Sequence, residues 1–339
     1  MRATYGVHSV FTDMAVRALD RWRAYEAEWN RTFFRQAGVL WLFASDRGEH
    51  FAETSRISLD TRVRVEQMTP ADAARRYPQI DFGGVSAVLF EPDAGYLLAR
   101  RACEHVVERA VAAGVEYRPA AAVAPVRLEA SGFWAIALEN GEHVRADRFV
   151  FACGPWLGTL FPDVIGKHLS VTRQEVHYFG VPGGDRTFSD EQLPVWLDFG
   201  ERLFYGIPAH AQGGFKIADD TPGPLLEPTS ADRLPSFEQI ARARAFLARR
   251  FPALASAPLI ASEVCQYEST PDAHFIVDRH PSAANVWIAG GGSGHGYKMG
   301  PALGEMIARL VMDDGEPDRR FALSRFSSPP TGGWREKWS

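Results

Sequence analysis

A glycine-rich segment near the C-terminal end constrains the fold more than any other feature. The stretch 288-IAGGGSGHGYKMGPALGEM-306 carries five glycines within seven residues, directly after the apolar run 285–290. Apolar residues at helical spacing follow, with Pro301 near the start of the predicted helix and Gly315 after its end. A strand, a glycine turn and a helix in this order allow close approach of a ligand to the backbone and favour an anion at the helix N-terminus.

The segment does not match the dinucleotide-binding fingerprint G-x-G-x-x-G in any register. The position of the third glycine is occupied by His295, Tyr297 or Met299. Lys298 lies just before the predicted helix, where the helix dipole disfavours a cation. A nearby anion would explain this lysine, and a solvated lysine on a surface loop is the alternative.

The rest of the chain predicts a mixed α/β protein. Strand–helix–strand pieces fall near 97–154 and 285–312, and a run of antiparallel strands lies between them. The predicted helices are 10–30, 69–78, 97–113, 236–250 and the C-terminal one. The predicted strands are 38–43, 115–123, a hairpin over 133–144, 148–154, 170–182, 194–200, 203–208, 214–219, 262–269, 274–280 and 285–290. This order predicts two interleaved domains.

Two of these elements carry specific expectations about burial. In the helix over 97–113, one face holds only apolar residues: Leu98, Ala102, Val106, Val107, Ala110 and Val111. The short apolar strand 148–154 is expected to be buried on both faces. Cys103 and Cys153, which lie on these two elements, are expected to be core residues.

Composition excludes several classes of function. The net charge of -5 over 339 residues argues against nucleic acid as the main partner. Three scattered cysteines cannot form a disulfide framework, which favours a reducing compartment and a cytoplasmic location. The longest apolar run, 149–161, is too short to cross a membrane. The spacing of His274, His280 and His295 fits no common metal site.

Several segments, in collinear order over about residues 1–315, resemble a known family. They are 1-MRATYG-6, 87-AVLFEPDAGYL-97, 147-DRFVFACGPW-156, 204-FYGIP-208, 214-GFKI-217, 263-EVCQYESTPDAHFIVDRHP-281 and 285-NVWIAGGGSGHGYKMGPALGE-305. The chain resembles the monomeric sarcosine oxidase group, with L-pipecolate and N-methyltryptophan oxidases. This group belongs to the D-amino-acid-oxidase-like FAD-dependent oxidoreductases.

The resemblance implies a doubly wound FAD-binding domain interleaved with an antiparallel-sheet substrate domain. The expected FAD-binding segments are 1–30, 94–167 and 272–326, the substrate domain is 31–93 and 168–271, and 327–339 is a loose tail. Family members begin with a βαβ unit whose G-x-G-x-x-G turn holds the ADP half of FAD, and this sequence begins after that unit. We therefore expect an incomplete FAD-binding domain, through a misassigned start, a truncation or a split gene.

Five residues match positions around the substrate in this family. Arg2 and Lys298 match the pair that holds the substrate carboxylate, and a guanidinium fork suits that task. Lys216 matches the lysine implicated in activating oxygen, and Tyr205 and Tyr267 match aromatic residues that line the substrate cavity. The residue patterns alone also allow other roles for these residues. Lys216 could be a lysine that protects an edge strand, and the two tyrosines could be packing residues.

The resemblance also implies a set of cofactor contacts. Cys265 matches the cysteine that carries FAD through a thioether to the 8α-methyl group, whereas an inert buried thiol is the alternative. The other expected contacts are Gly154, Trp156, Gly291, Gly292, Ser293, Gly294, His295, Gly296 and Lys298.

One position departs from the family pattern. Asp220 stands where the family has a histidine, four residues after Lys216, and Asp219 precedes it. An aspartate would repel a substrate carboxylate, so a changed substrate preference or weakened oxidation is expected.

The implied reaction is the oxidation of the C–N bond of a secondary or N-methyl amino acid. Hydride passes to flavin N5, and oxygen is reduced to hydrogen peroxide. The alternatives are a product without redox activity of its own, which could complement a separate N-terminal fragment, and a dehydrogenase that uses another acceptor. Lys216 favours oxygen over the other acceptors.

Overall fold

The computed structural model describes residues 1–55, 62–125, 128–129, 132–133, 135–210, 213–313 and 315–327. Residues 328–339, nearly all of the predicted loose tail, lie outside these ranges. The described part of the chain is a mixed α/β structure, as the sequence predicts. None of its helices combines the length and the hydrophobicity that a membrane span requires.

Seven α-helices separate groups of strands along the described part of the chain. The α-helices of the described residues are α1 (Ser9–Trp29), α2 (Gly48–Ser55), α3 (Pro70–Arg76), α4 (Ala99–Ala112), α5 (Leu157–Leu160), α6 (Phe237–Arg250) and α7 (Gly300–Met312). The strands are β1 (Phe34–Arg35), β2 (Val39–Ala44), β3 (Glu66–Met68), β4 (Val85–Glu91), β5 (Tyr96–Leu97), β6 (Ala122–Pro125), β7 (Leu128–Glu129), β8 (Gly132–Phe133), β9 (Ile136–Leu138), β10 (His143–Val144), β11 (Phe149–Phe151), β12 (Ser170–Phe179), β13 (Val195–Phe199), β14 (Leu203–Ile207), β15 (Phe215–Asp219), β16 (Leu259–Ser269), β17 (Ile276–Arg279) and β18 (Val286–Gly290).

Two helices begin where the sequence predicts, because side chains satisfy their free N-terminal amides. The Oγ1 atom of Thr69 accepts a hydrogen bond from the backbone N–H of Asp72 at 3.1 Å, and Pro70 occupies the first position of α3. The Oγ atom of Ser236 accepts one from the backbone N–H of Gln239 at 3.2 Å at the start of α6.

An eight-stranded sheet forms the larger layer, in the order β16-β12-β15-β14-β13-β2-β4-β3. Its pairs are antiparallel except for β2 and β13, which run parallel. Side chains of β2 alternate between two buried clusters. Leu40 packs with Trp196 and Phe246 on the face under α6, whereas Val39 and Trp41 lie on the opposite face. That opposite face forms one wall of the site described below.

A three-stranded sheet, in the order β11-β18-β17, forms the smaller layer. β11 runs parallel to β18, and β17 is antiparallel to it. Helices α1 and α7 cover one face, where Phe11 and Leu310 pack with Trp287. The other face buries Ile288 against Phe161. The strands of this sheet come before and after the 170–269 part of the larger sheet, so the two layers interleave along the chain.

The expected burial of α4 and of the strand at 148–154 was wrong. Within the described residues, β11 is the edge strand of its sheet, and Val150 is 44% exposed. On α4, Ala102 is buried, but Val106 is 42% and Val111 is 50% exposed. These apolar side chains lie on one predicted face, and in the described structure only part of that face has a packing partner.

Two further expectations near this region need correction. The strand predicted over 115–123 is not a strand over most of its length, because the paired segment β6 begins at Ala122. Cys103 is exposed rather than a core residue, since it lies on the flank of α4 where its Sγ atom is 3.7 Å from the hydroxyl of Tyr297. Cys153 is partly buried just beyond the end of β11.

Candidate active site

A cavity of about 200 Å³ lies between one face of the eight-stranded sheet and the glycine-rich segment. It gathers four of the five residues that the sequence analysis placed around a substrate, and Lys216 is not among the residues that line it. The residues that line it are Met1, Arg2, Val39, Trp41, Gly95, Tyr96, Val195, Leu197, Phe199, Leu203, Tyr205, Ile207, Asp220, Tyr267, Gly294, His295 and Lys298. A larger cleft of about 470 Å³ between α1 and α7 contains none of the expected site residues.

Arg2 enters the cavity from a firmly held N-terminal segment. Its guanidinium lies 4.2 Å from the ring centre of Tyr5 and 5.0 Å from that of Trp41, so two aromatic faces hold it by cation–π contact. The backbone is fixed on both sides of Arg2. The N–H of Gly95 donates to the carbonyl of Met1 at 2.9 Å, and the N–H of Ala3 donates to Oε1 of Glu91 at 2.7 Å. Arg2 is therefore better ordered than a residue next to a chain end would suggest.

Lys298 reaches the same cavity from the opposite side. Its Nζ atom donates to the carbonyl of His295 at 3.1 Å and lies 5.5 Å from the ring centre of Tyr5. The backbone carbonyl of Lys298 accepts a hydrogen bond from Nε1 of Trp22 at 2.9 Å, which ties this turn to α1. Arg2 and Lys298 thus flank one aromatic ring and form a positive end of the cavity.

Tyr205 and Tyr267 stand on β14 and β16, with their hydroxyl oxygens 3.4 Å apart. Burial raises the pKa of Tyr205 well above its usual value, and the neighbouring Tyr267 and Asp220 raise it further. Tyr205 therefore remains a neutral phenol that can donate a hydrogen bond. Asp220 also lines the cavity, whereas Asp219 is turned toward Arg202, whose Nε atom lies 2.6 Å from its Oδ2 atom. Only one of the two aspartates is directed at the site.

Cys265 and Lys216 lie close enough for the charge of each to influence the pKa of the other. They stand on β16 and β15, the two strands that flank β12. Burial lowers the pKa of Lys216, and the nearby acidic groups Cys265 and Glu263 oppose that change. Burial raises the pKa of Cys265, and the charge of Lys216 opposes it. The Nζ atom of Lys216 also lies 5.9 Å from the ring centre of Tyr205, which connects this pair to the cavity.

The glycine-rich segment turns sharply at the carboxyl end of β18, next to the end of β11. Gly291, Ser293 and Gly294 all have positive φ angles of 68°, 46° and 73°. Ser293 tolerates this backbone because it is held on both sides. Its N–H donates to the carbonyl of Glu268 at 2.7 Å, and its Oγ donates to the carbonyl of Gly291 at 3.0 Å. Open α/β sheets bind ligands at the carboxyl ends of parallel strands, and this turn lies at such an end.

Several expected cofactor contacts have other structural partners. The ring of His295 is buried, with Nε2 3.0 Å from the carbonyl oxygen of Ala273 and Nδ1 3.4 Å from the Tyr5 hydroxyl. Trp156 is largely exposed, and its Nε1 donates to Oγ1 of Thr229 at 2.9 Å. Neither Trp156 nor Gly154 lines the cavity that holds Arg2.

Sequence reasoning missed three residues of this region. Trp41 supports the Arg2 guanidinium, Glu91 holds the N-terminal segment, and Glu268 lies under the glycine-rich turn. A signal existed for Glu91, because it ends the apolar run 85–90, where an ionisable residue is unusual. Trp41 stands in an apolar strand, where a packing role is the default interpretation.

The fold and the site together define a mixed α/β protein in which a glycine-rich turn lies next to a cavity lined by two cationic side chains. The family model described as "DAO: FAD dependent oxidoreductase" matches residues 2–310, and the chain belongs to this family of FAD-dependent oxidoreductases. The resemblance inferred from the sequence is thereby confirmed.

Curated relatives and solved structures agree with this assignment. The chain is 27% identical over 333 residues to monomeric sarcosine oxidase of Bacillus sp. (strain B-0618), covering 97% of this chain and 84% of the relative. It is 25% identical over 333 residues to N-methyl-L-tryptophan oxidase of Yersinia pestis (strain Pestoides F), covering 96% and 86%. L-proline dehydrogenase from P. horikoshii shares the fold with a TM-score of 0.81 at 20% identity, covering 96% and 86%. Fructosyl peptide oxidase from E. terrenum does so with a TM-score of 0.79 at 20% identity, covering 94% and 78%.

Proposed function

We propose that this protein oxidises the C–N bond of a secondary or N-methyl amino acid and uses oxygen as the final electron acceptor. The observation that carries the proposal is the convergence of Arg2 and Lys298 on a cavity that Tyr205 and Tyr267 also line. When bound, FAD supplies the hydride acceptor and the site at which oxygen is reduced to hydrogen peroxide.

Arg2 and Lys298 would bind the substrate carboxylate. A guanidinium can form two parallel hydrogen bonds with a carboxylate, and an ammonium adds a point charge. Both cations lie against the ring of Tyr5, so they are positioned before the substrate arrives. A carboxylate fixed at this end orients the amine carbon toward the part of the cavity that Tyr205 and Tyr267 line.

The two tyrosines would orient the amine rather than deprotonate it. Because its pKa is raised well above the usual value, Tyr205 cannot serve as a base at neutral pH. Its hydroxyl, 3.4 Å from that of Tyr267, can share a proton with its neighbour and donate to or accept from the substrate. The substrate therefore enters as the small fraction of neutral amine, or loses its proton to solvent on binding.

Lys216 would stabilise negative charge that develops on oxygen. A buried ammonium in a site of low dielectric stabilises a forming anion more strongly than one in water. Lys216 meets this requirement, because burial is the main cause of its lowered pKa. Its position beside Cys265 places the cation next to the residue that we propose as the point of cofactor attachment.

The residues present fit FAD in this crevice. The turn at Gly291 to Gly294 has backbone conformations that bring amides close to a ligand, and it lies at the ends of parallel strands. Cys265 provides a partly buried thiol beside a cation, which suits covalent attachment, because Lys216 opposes the effect of burial on the thiol pKa. We propose a thioether between Cys265 and the 8α-methyl group.

The visible spectrum of acid-precipitated protein tests this proposal. Yellow colour that remains with the polypeptide is expected, and Cys265→Ser should release it into the supernatant. Cys153→Ser is the matched control and should retain the colour. The purified protein should also produce hydrogen peroxide from an N-methyl amino acid. Colourless protein after purification in the presence of FAD contradicts the proposal.

We also propose that the edge of β11 is a docking site for a separate strand–turn–helix segment that carries G-x-G-x-x-G. We further propose that the protein is cytoplasmic. The exposed side chain of Val150 supports the docking site, since β11 is the edge strand of its sheet in the described structure and an added strand would lie beside it. Co-expression with such a tagged segment should yield a co-purified complex with increased FAD content. Val150→Lys should abolish co-purification, and unchanged complex formation would argue against this edge.

A further inference from the structure

Glu268 is a carboxyl group under the glycine-rich turn that the proposed reaction does not use. It lies on β16, the strand that also carries Cys265. Its Oε1 atom accepts a hydrogen bond from the backbone N–H of Gly292 at 3.2 Å. Its Oε2 atom is buried and has no hydrogen-bond partner among the residues that the structure describes. One oxygen is therefore fixed by the turn, and the other lacks a donor among the described residues.

This carboxyl group lies where the carboxyl ends of two parallel strands meet. At the end of β18, a Cβ atom added to Gly290 would be 3.4 Å from Oε2 of Glu268. Just beyond β11, the pKa of Cys153 is raised by burial and also by the charge of Glu268. Both strand ends thus border the same carboxyl group. The crevice outside such strand ends is the position where open α/β sheets bind ligands.

An unsatisfied oxygen in this position calls for a physical explanation. Buried polar atoms nearly always have hydrogen-bond partners, and the exceptions commonly mark a ligand or a catalytic group. Burial raises the pKa of Glu268 to about 7, and the amide groups of Gly291 and Gly292 oppose this change. An acceptor that is held by the turn and lies beside the ends of two parallel strands is suited to a donor on the cofactor.

We propose that Glu268 binds the flavin moiety of FAD, with Oε2 accepting a hydrogen bond from the ring N3–H or from a ribityl hydroxyl. This inference rests on the proposed flavin-dependent function and adds a binding residue to it. The ring N–H and the ribityl hydroxyl are both donors that a carboxylate accepts well, so they share one chemistry. Since a donor favours the charged carboxylate, flavin binding and loss of the Glu268 proton should be coupled.

Reversible flavin binding to the full chain tests the inference without relying on turnover. In a Cys265→Ala background, riboflavin is titrated and the quenching of its fluorescence is followed at pH 6 and pH 8. The affinity should be about fivefold higher at pH 8, if binding lowers the Glu268 pKa by about one unit. Adding Glu268→Gln should remove this pH dependence. It should also weaken binding about tenfold at pH 8, because one acceptor becomes an amide donor.

Controls and flavin analogues separate the possible outcomes. Glu238→Gln, the same change on the exposed surface of α6, should leave the affinity unchanged. If lumiflavin binding keeps the pH dependence, the donor is on the flavin ring, and loss of the dependence with N3-methyl-lumiflavin identifies N3–H. If only riboflavin binding shows the pH dependence, the donor is on the ribityl chain. If the parent and the Glu268→Gln variant bind riboflavin equally at both pH values, the role of Glu268 is wrong and the proposed function is unaffected. If the parent chain binds no flavin, the proposed function is wrong as well. If the variant does not fold, the parent alone provides the test, because a riboflavin affinity that is equal at pH 6 and pH 8 contradicts the role of Glu268.

Discussion

Glu91 holds the N-terminal segment through Thr4, whose Oγ1 atom donates to Oε2 of Glu91 at 2.6 Å. The other carboxylate oxygen, Oε1, accepts from the backbone N–H of Ala3 at 2.7 Å. Both contacts are buried, and burial raises the pKa of Glu91. Because Ala3 and Thr4 directly follow Arg2, this carboxyl group and the pairing of Met1 with Gly95 together position the guanidinium in the cavity.

Substituting Glu91 should therefore impair substrate binding without touching the cavity. Glu91→Ala leaves the buried Thr4 hydroxyl and the Ala3 amide without their acceptor, at a cost of about 1–3 kcal/mol for each group. We expect KM for an N-methyl amino acid to rise about tenfold or more, because Arg2 loses its position. Steady-state kinetics measure this. Glu66→Ala, on an exposed carboxylate that pairs with Arg76, should leave KM unchanged.

Lys298 should act on the carboxylate of the substrate and not on its amine. Lys298→Met is expected to lower kcat/KM for an N-methyl amino acid about 10- to 100-fold, the usual effect of losing a charged hydrogen bond. The corresponding N-methyl amine without a carboxylate should be oxidised by both proteins at similar, low rates. Lys167→Met is a control on an exposed lysine. Equal loss on both substrates would show that Lys298 has a different role.

Lys216 should affect the reaction with oxygen more than the reaction with substrate. In Lys216→Met, anaerobic bleaching of the cofactor by substrate should continue, whereas reoxidation by oxygen should slow about 100-fold or more. Stopped-flow absorbance resolves the two half-reactions. Since burial already disfavours the ammonium, the methionine variant should be as stable as the parent. Loss of substrate reduction with normal reoxidation would contradict this assignment.

Asp220 should weaken the binding of carboxylate-bearing substrates. It lines the cavity that holds Arg2 and Lys298, and a negative charge there opposes a second one. Asp220→Asn removes this charge and should lower KM for an N-methyl amino acid about fivefold. This corresponds to about 1 kcal/mol of charge repulsion between the aspartate and the substrate carboxylate within a small cavity. Asp219→Asn is the matched control. It should lose its ion pair with Arg202 and some stability, with no gain in affinity.

Glu268 should make the stability of the flavin-free chain depend on pH. Its folded pKa of about 7 exceeds the ordinary value of 4.5, so the folded state binds the proton more tightly. This contribution to the free energy of unfolding is complete below pH 4.5 and is lost as the pH rises to 7. The loss is on the order of 3 kcal/mol. Glu268→Gln should remove this dependence, so urea unfolding of the variant and the parent should diverge between pH 5 and pH 8. Parallel curves would show that the carboxyl group titrates normally.

Local patterns were sufficient for much of the secondary structure. Thr69 and Ser236 start their helices as predicted, because a capping side chain acts within three residues of its own position. The antiparallel strands between 170 and 219 also form as predicted, since segments rich in β-branched and aromatic residues are separated there by glycine and proline. Patterns failed at Val106 and Val150, because an apolar face shows that burial is possible and does not show what covers it.

The sequence by itself determined the family, the mixed α/β class and the residue types available for chemistry, because motifs such as those around Cys265 and Lys298 are local and ordered along the chain. Only the tertiary structure decided which of them share a cavity. Arg2 and Lys298 meet although nearly the whole chain separates them, and Asp220 faces the site whereas its neighbour Asp219 does not. The turn above Glu268 binds one of its oxygens and leaves the other buried without a partner among the residues that the structure describes. Burial, charge proximity and hydrogen-bond satisfaction are properties of contacts between distant segments, so one-dimensional patterns cannot contain them.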